Sequence, residues 1–254
     1  MTKTARSAWP GTRPRSAPVA YFDKDGNHLD TTYFGRMPEA YKATLEEMLT
    51  DEALHIAACR PDLLPVFASD GAEGQWAALA RIRAKLPPEM QTRAIDLLDL
   101  FHMGEHLQDA ADAVYRKGTP RARVARVDWV ETLRAYDDGL ERVRQSLRRF
   151  SRDTTKERTR KAVDKVLEYL HNNSRTAYKL AEDNNLPLAT GPTEAAAKSL
   201  VGVRMKRSGV RYSHHGGQTI LTLLAAHKSA RFDALWNIIV ANCYSANVTQ
   251  RRFA

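Results

Sequence analysis

The segment 63–71, with the sequence LLPVFASDG, decides the fold. Its short apolar run ends in an Asp-Gly pair, and this pattern predicts a buried strand that stops at Asp70. Residues 92–98 are a weaker strand candidate, and that run ends at Asp99. Because the carboxyl ends of neighbouring strands meet at one edge of a sheet, we expect the two carboxylates to converge there.

Two more strands and two helices are predicted around this segment. The β-prone runs 19–22 and 28–34 flank residues 24–27, which contain an Asp-Gly turn signal, and such a pattern is typical of a hairpin. Apolar residues recur at helical spacing over 38–59, and a second helix is expected over 74–85. The alternation of hairpin, helix, strand, helix and strand predicts a mixed α/β sheet.

Beyond His102 the sequence has helical periodicity only, with breaks expected at Gly139 and at 153–155. This block has the character of a mostly helical insertion into the α/β core. Pro192 is expected to open a further helix, and the sequence HHGG at 214–217 is predicted to be a loop. The expected organisation is a disordered basic segment at 1–18, a partial α/β core at 19–101, a helical insertion at 102–190, and C-terminal helices at 191–254 that complete the core.

Composition limits the class of protein. In 254 residues, 39 Lys and Arg against 30 Asp and Glu give a formal net charge of +9, and 27% of the residues are charged. These values exclude an integral membrane protein, and neither an apolar run of membrane-spanning length nor a signal-peptide pattern is present. We expect a cytoplasmic protein with a polyanionic partner.

The two cysteines and three of the tryptophans are predicted to have structural roles. Cys59 and Cys243 are far apart, so we expect neither a disulfide nor a cysteine zinc site, and we predict that both are buried as small hydrophobic residues. Trp76, Trp129 and Trp236 fall on apolar helical faces and are predicted to be core residues.

The positive charge is concentrated in residues 116–165, where sixteen Lys and Arg stand against eight Asp and Glu, an excess of 16 − 8 = +8. Two interpretations are open, a solvated helical surface and a phosphate-binding face. The dominance of arginine favours the second, because a guanidinium group suits phosphate oxygens better than an ammonium group does.

Three acids lie where a predicted element ends or begins, namely Asp70, Asp99 and Glu194. Clusters of carboxylate oxygens hold Mg²⁺ or Mn²⁺, and two such ions about 4 Å apart activate a water and stabilise the leaving oxygen of a phosphodiester. The alternative is structural, since an aspartate at a strand end often caps the next helix.

A competing motif is HMGEH at 102–106, which fits the His-x-x-Glu-His pattern. In that pattern two histidines one helical turn apart hold zinc and the glutamate acts as a base. A third ligand is needed, and the candidates His171, His214 and His215 have no zincin-like context. Structural roles for Glu105 and His106 are the alternative.

Five motifs occur in a definite order along the chain. Together they resemble the insertion-sequence DDE transposases of the Kra type, which are relatives of the Mutator-like group with an RNase H-like catalytic core. The resemblance extends from about residue 19 to the C-terminus. The motifs are YFGRMPEA at 33–40, SDGA at 69–72 with Trp76, DLFH at 99–102 with EHL at 105–107, TGPTEAAAK at 190–198, and RMKRSGVR at 204–211.

The resemblance implies an RNase H-like mixed sheet core interrupted by a mostly helical insertion. It implies an enzyme that cuts and joins DNA at insertion-sequence ends with Mg²⁺ or Mn²⁺. Asp70 matches the second catalytic Asp of the family and Glu194 its terminal Glu, both as metal ligands. Asp99 and His102 match an Asp-x-x-His element that supports the catalytic site, which makes Asp99 the weaker ligand candidate.

The resemblance also implies partners. These are insertion-sequence ends, target DNA and further copies of the chain in a synaptic complex, without a membrane, and they place the protein at the nucleoid. The sequence from Ala195 to Tyr212 has no acid, so its cations predict a surface that binds the DNA backbone, with an ordinary basic loop as the alternative. The predicted DNA-binding residues are Lys198, Arg204, Lys206, Arg207 and Arg211.

One departure from the family concerns its first catalytic Asp, which belongs to the opening strand of the core. No acid precedes Asp23 in this chain, and Asp23 and Asp25 lie in the predicted hairpin turn. We therefore expect an N-terminally truncated transposase that lacks one metal ligand. The alternatives are a catalytically inactive DNA-binding remnant and, third, a zinc metallopeptidase.

Overall fold

The computed structural model describes residues 14–39, 43–72, 74–205 and 211–252, with side chains described as far as 243. The chain is mixed α/β and mostly helical. Its elements are β1 (Arg15–Phe22), β2 (His28–Arg36), α1 (Ala43–Cys59), β3 (Val66–Ser69), α2 (Gln75–Arg83), α3 (Pro88–Arg93), β4 (Ile95–Leu98), α4 (Leu100–Tyr115), α5 (Pro120–Ala135), α6 (Gly139–Asp153), α7 (Glu157–Asn172), α8 (Tyr178–Asp183), α9 (Gly191–Ala196), a π-helix (Ala197–Gly202), α10 (Val203–Met205), α11 (His214–Lys228) and α12 (Phe232–Arg252).

The chain divides into two compact units. The first unit contains the described parts of 1–21, 28–52 and 191–254, and the second contains 22–27 and the described parts of 53–190. The end of the second unit at Thr190 coincides with the predicted end of the helical insertion. The predicted boundary at 101/102 has no counterpart, because β3 and β4 belong to the same unit as the helices that follow them.

The predicted hairpin is confirmed as β1 and β2. In its turn the Asp23 carboxylate accepts the backbone N–H groups of Asp25 and Asn27, at 2.9 and 2.8 Å. Gly26 supplies the left-handed conformation that the turn needs, with a φ of 82°. β1 begins at Arg15, so residues 15–18 are a strand and not disordered, because an edge strand tolerates a proline.

Helix α11 packs against β2 in the first unit. The close approach depends on Gly217, since a Cβ atom there would lie only 2.7 Å from the Sδ atom of Met37. The Met37 backbone N–H donates to the Gln218 side-chain oxygen at 2.9 Å. The small apolar core of this unit contains Met37, Leu200, Val201, Leu221 and Ala225.

A buried carboxylate holds the polar part of the first unit together. Glu52 is 7% exposed. It accepts the Tyr21 and Thr32 hydroxyls at 2.9 and 3.0 Å, and both of its oxygens accept the Arg231 guanidinium, at 2.6 and 2.8 Å. Burial alone would raise the pKa of Glu52, but these donors outweigh burial and lower it.

The sheet of the second unit is the parallel pair β3 and β4, with Ser69 opposite Leu98. Both strands are confirmed, although β4 begins only at Ile95. The expected strand over 92–94 is wrong because α3 precedes β4, with Pro88 at its first position and Met90 buried beneath it.

Helices α4, α5, α6 and α7 form an antiparallel ring in the second unit, and each packs against its two neighbours in the ring. The predicted breaks are the two ends of α6, at Gly139 and Asp153. Helix α4 begins at Leu100, slightly before the expected start of the helical block. The buried core between the four helices includes Leu107, Trp129, Leu133, Leu147 and Leu170.

One tryptophan and both cysteines are more exposed than predicted. Trp129 is buried and Trp76 packs against the same core, but Trp236 is 51% exposed, because none of the described side chains of α12 is buried. Cys59 and Cys243 are exposed free thiols and not buried residues.

The predicted loop at 214–217 is the first turn of α11. The Ser213 hydroxyl accepts the Gly216 backbone N–H at 3.0 Å, so an N-cap begins the helix despite its two glycines. None of the helices that the structure describes combines the length and apolarity that a membrane crossing requires.

Candidate functional site

The parallel pairing of β3 and β4 brings two of the predicted site residues to one sheet edge. Asp70 follows the last residue of β3 and Asp99 follows the last residue of β4. The two strands remain hydrogen-bonded up to this point, because the Asp99 backbone N–H donates to the Ser69 carbonyl at 2.8 Å. The pattern of two apolar runs that each end in aspartate therefore predicted a real feature of the sheet.

Asp99 is almost fully buried, at 5% exposure, and both of its carboxylate oxygens accept hydrogen bonds. Oδ1 accepts the His102 backbone N–H at 3.0 Å and thereby caps α4. Oδ2 accepts the Thr190 backbone N–H at 2.7 Å and also the Thr190 hydroxyl. These contacts favour the supporting role over that of a metal ligand, since a cation would compete with the protein's own donors for both oxygens.

Burial alone would raise the pKa of the Asp99 carboxyl. The donors from Thr190 and from the first turn of α4 outweigh burial, so the pKa is lowered and the group is ionised at neutral pH. Asp99 is thus a fixed negative charge that ties the start of α4 to the end of the second unit.

Asp70 differs from Asp99 in being exposed. Its Oδ1 atom accepts the Ala72 backbone N–H at 2.9 Å, which shapes the turn after β3. Gly71 has a φ of 87°, and a Cβ atom there would lie 3.0 Å from the Asn173 side-chain oxygen. Glycine is therefore required directly after Asp70, and the Asp-Gly pair is a structural necessity of this strand end.

The histidines of the HMGEH motif lie on one face of α4, as their spacing predicts. The His102 and His106 rings meet edge to face at 4.9 Å, and His106 stacks on Tyr169 of α7 at 3.6 Å between ring centroids. The His102 Nδ1 atom lies 3.1 Å from the Glu105 carboxylate. Burial and the neighbouring His102 lower the pKa of His106, which keeps its ring neutral at pH 7.

Two tyrosines near this edge were not found by sequence reasoning. The hydroxyls of Tyr169 and Tyr178 are buried and have no hydrogen-bond partner among the described residues. Burial, together with the charges of Asp70 and Asp99, raises the pKa of Tyr169 to about 12. Burial also raises the pKa of Tyr178. Both phenols stay protonated. The sequence indicated each of them only as part of the apolar face of a helix, α7 for Tyr169 and α8 for Tyr178.

Glu194 belongs to the first unit and lies on α9, where it is exposed. A π-helix begins three residues later and runs directly on from α9. Such π-helical segments are frequent at functional sites. Of the predicted DNA-binding residues, Lys198, Arg204 and Arg211 are exposed. Lys206 and Arg207 lie outside the described residues.

No group of three His, Cys, Asp or Glu side chains among the described residues is arranged to hold a metal ion. Within the described parts of the chain, the paired histidines of α4 therefore lack the third protein ligand that a zinc site needs. This finding bears less on Mg²⁺ or Mn²⁺, since Mg²⁺ usually keeps several waters and binds through one or two carboxylates plus substrate phosphates. The exposed carboxylates of Asp70 and Glu194 have the hard-oxygen chemistry that such ions need.

Neither a protein-family model, nor a curated protein, nor a solved structure matches this chain.

Proposed function

We propose that this chain is a DDE-type transposase with an RNase H-like core, which cuts and joins DNA at insertion-sequence ends. The observation that carries the proposal is the parallel pairing of β3 with β4, which sets Asp70 and Asp99 at one sheet edge. Ligand sites in α/β sheets lie at the carboxyl ends of parallel strands. The ordered motifs of the sequence support the same assignment.

Each predicted site residue has a role in this proposal. Asp70 and Glu194 are exposed carboxylates, and each would offer oxygens to Mg²⁺ or Mn²⁺. Such an ion supplies charge stabilisation at the reacting phosphate and a nucleophile at neutral pH. Asp99 fixes the start of α4, on which the partly exposed side chain of His102 lies. Lys198, Arg204, Lys206, Arg207 and Arg211 would neutralise backbone phosphates without selecting a sequence.

The test is DNA nicking in Mg²⁺ or Mn²⁺ by the full chain and by Asp70→Ala and Glu194→Ala. We expect nicking by both variants to fall to the level seen without metal, because each removes a cation ligand. Asp109→Ala removes an exposed acid from α4 and is the matched control, which should cleave like the unaltered chain. Cleavage that persists in both site variants contradicts the proposal.

A second candidate is a DNA-binding protein of the same kind that does not cleave. Two observations favour it, namely the lack of a three-ligand group among the described residues and the saturated oxygens of Asp99. Duplex DNA binding without nicking in either metal supports this candidate. Nicking that depends on Asp70 excludes it.

A further inference from the structure

The ring formed by α4, α5, α6 and α7 has a group of exposed cations at one end and acids in ion pairs at the other. Because α4, α5, α6 and α7 run alternately up and down, the turn between α4 and α5 and the turn between α6 and α7 lie at the same end of the ring. A hydrogen bond confirms this, since the Thr159 hydroxyl donates to the Ala113 carbonyl at 3.1 Å across the two turns. We call this end the basic tip.

Six exposed cations define the basic tip, and among the described residues none of them forms an ion pair. No acid occurs between Asp112 and Asp128, so the α4–α5 side of the tip is uncompensated. The nearby acids Asp153 and Glu157 pair with other cations. The six residues are Arg116, Lys117, Arg121, Arg123, Lys156 and Arg158.

The other end of the ring has the opposite character. Its acids include Asp138 and Glu141, which pair with Arg142 and Arg148, in both cases at 2.7 Å or less. Glu182 of α8 accepts the Arg134 guanidinium there. The cations at this end are thus used within the fold, whereas those of the basic tip are not.

The placement of several tip cations is unfavourable for the isolated protein. Arg121, Arg123 and Arg158 lie in the first turns of α5 and α7, where the positive end of the helix dipole repels cations. A bound polyanion would relieve this repulsion and gain the exposed backbone N–H groups as donors. A groove of about 320 Å³ opens between the turns, with an apolar wall from Ala113, Val114 and Phe150 and a polar rim from residues 153–156 and Thr159.

We propose that the basic tip binds the phosphate backbone of duplex DNA. Guanidinium groups are donors suited to phosphate oxygens and carry no sequence preference. The choice of DNA over RNA rests on the proposed function, but binding at the tip needs no metal and no cleavage. Helix α4 has 16 residues, so it separates the tip from Asp99 by about 24 Å. A DNA duplex that lies along the ring would therefore contact the basic tip and the edge at Asp99 at points about seven base pairs apart.

The experiment measures binding of a 24-bp duplex DNA in EDTA, by fluorescence anisotropy over a range of salt concentrations. The test variant is Arg121→Gln/Arg158→Gln, and the matched control is Arg142→Gln/Lys179→Gln, which removes the same charge from the opposite end. Loss of two phosphate contacts lowers the slope of log K against log salt by about 1.8. If the tip variant and the unaltered protein bind DNA equally at 1 M salt, the variant should bind roughly 60-fold more weakly at 0.1 M. The control should lose far less.

Arg121→Lys/Arg158→Lys keeps the charge and should keep the salt slope, which separates lost contacts from altered folding. Equal losses in the tip variant and in the control would overturn the proposal, because net charge alone would then explain binding. Tighter binding of a duplex RNA of the same sequence would overturn the assignment to DNA. Since no metal is present, failure of DNA cleavage leaves these results unaffected.

Discussion

Replacement of Asp99 by alanine distinguishes a structural role, as the cap of α4 and the acceptor for Thr190, from a role as a metal ligand. Loss of the N-cap contact to His102 costs about 1 kcal/mol. Loss of a charged acceptor for the two donors of Thr190 costs about 1.5 kcal/mol, at the low end of the range because Thr190 is only half-buried and water replaces part of the loss. We expect Asp99→Ala to destabilise the second unit by about 2.5 kcal/mol. Asp99→Asn keeps a good cap and should cost about 1 kcal/mol.

The assay is urea unfolding followed by helix circular dichroism and by the fluorescence of Trp76 and Trp129, both in the second unit. Asp109→Ala on the exposed face of α4 is the control, with a change within about 0.5 kcal/mol. The pKa of Asp99 is lowered in the folded state, so its contribution is complete above the unfolded pKa of about 3.9 and disappears as the pH falls through the folded value. The difference in the free energy of unfolding between the unaltered protein and Asp99→Ala should therefore shrink in acid.

The opposite sign would refute this reasoning. If Asp99 were chiefly a metal ligand held beside Asp70, its removal would relieve repulsion between two carboxylates and stabilise the metal-free protein. Stabilisation by Asp99→Ala, or a loss no larger than that of Asp109→Ala, would show that the cap and the contacts to Thr190 contribute little.

Glu52→Ala should destabilise the first unit by about 2 to 3 kcal/mol, below the range for fully buried pairs because its guanidinium partner is half exposed; thermal melts at neutral pH test this. The pKa of Glu52 is lowered, so this difference should diminish as the pH falls below about 4.3, and a constant difference would contradict the network. Gly139→Ala should cost about 2 kcal/mol despite better helix propensity, because its Cβ atom would overlap the backbone oxygen of Thr132 in α5; an unchanged urea midpoint would show that the helices move apart freely. Cys59 and Cys243 should both react with a thiol reagent in native buffer, and a stoichiometry below two that rises on unfolding would contradict their exposure.

Local features of the sequence predicted the strands and breaks well. The Asp-Gly turn, the apolar runs that end at Asp70 and Asp99, and the ends of α6 depend on residues close together in the chain, and all appear in the structure. The errors have a similar local cause. The cap provided by Ser213 outweighs the two glycines of α11, and Pro88 begins a helix where β-prone residues suggested a strand.

Contacts between distant residues could not be predicted. Thr190 lies 91 residues from Asp99 and takes one of its carboxylate oxygens, which no spacing in the sequence reveals. Tyr169 is likewise set beside His106 only by the packing of α7 on α4. The apolar stripe of α12 predicted burial of Trp236, but periodicity indicates which face is apolar and not whether a neighbour covers it.

The arrangement of the second unit has a consequence for the order in which it forms. Consecutive helices of the ring are joined by short turns, so the contacts of α4 with α5, of α5 with α6 and of α6 with α7 are local and should form quickly. The contact between Thr190 and Asp99 joins residues 91 apart in the chain and should come late. Substitutions inside the ring are therefore expected to slow refolding, whereas those at the strand ends should mainly accelerate unfolding. The contact between Thr190 and Asp99 is then expected to be the last part of this unit to form and the first to be lost.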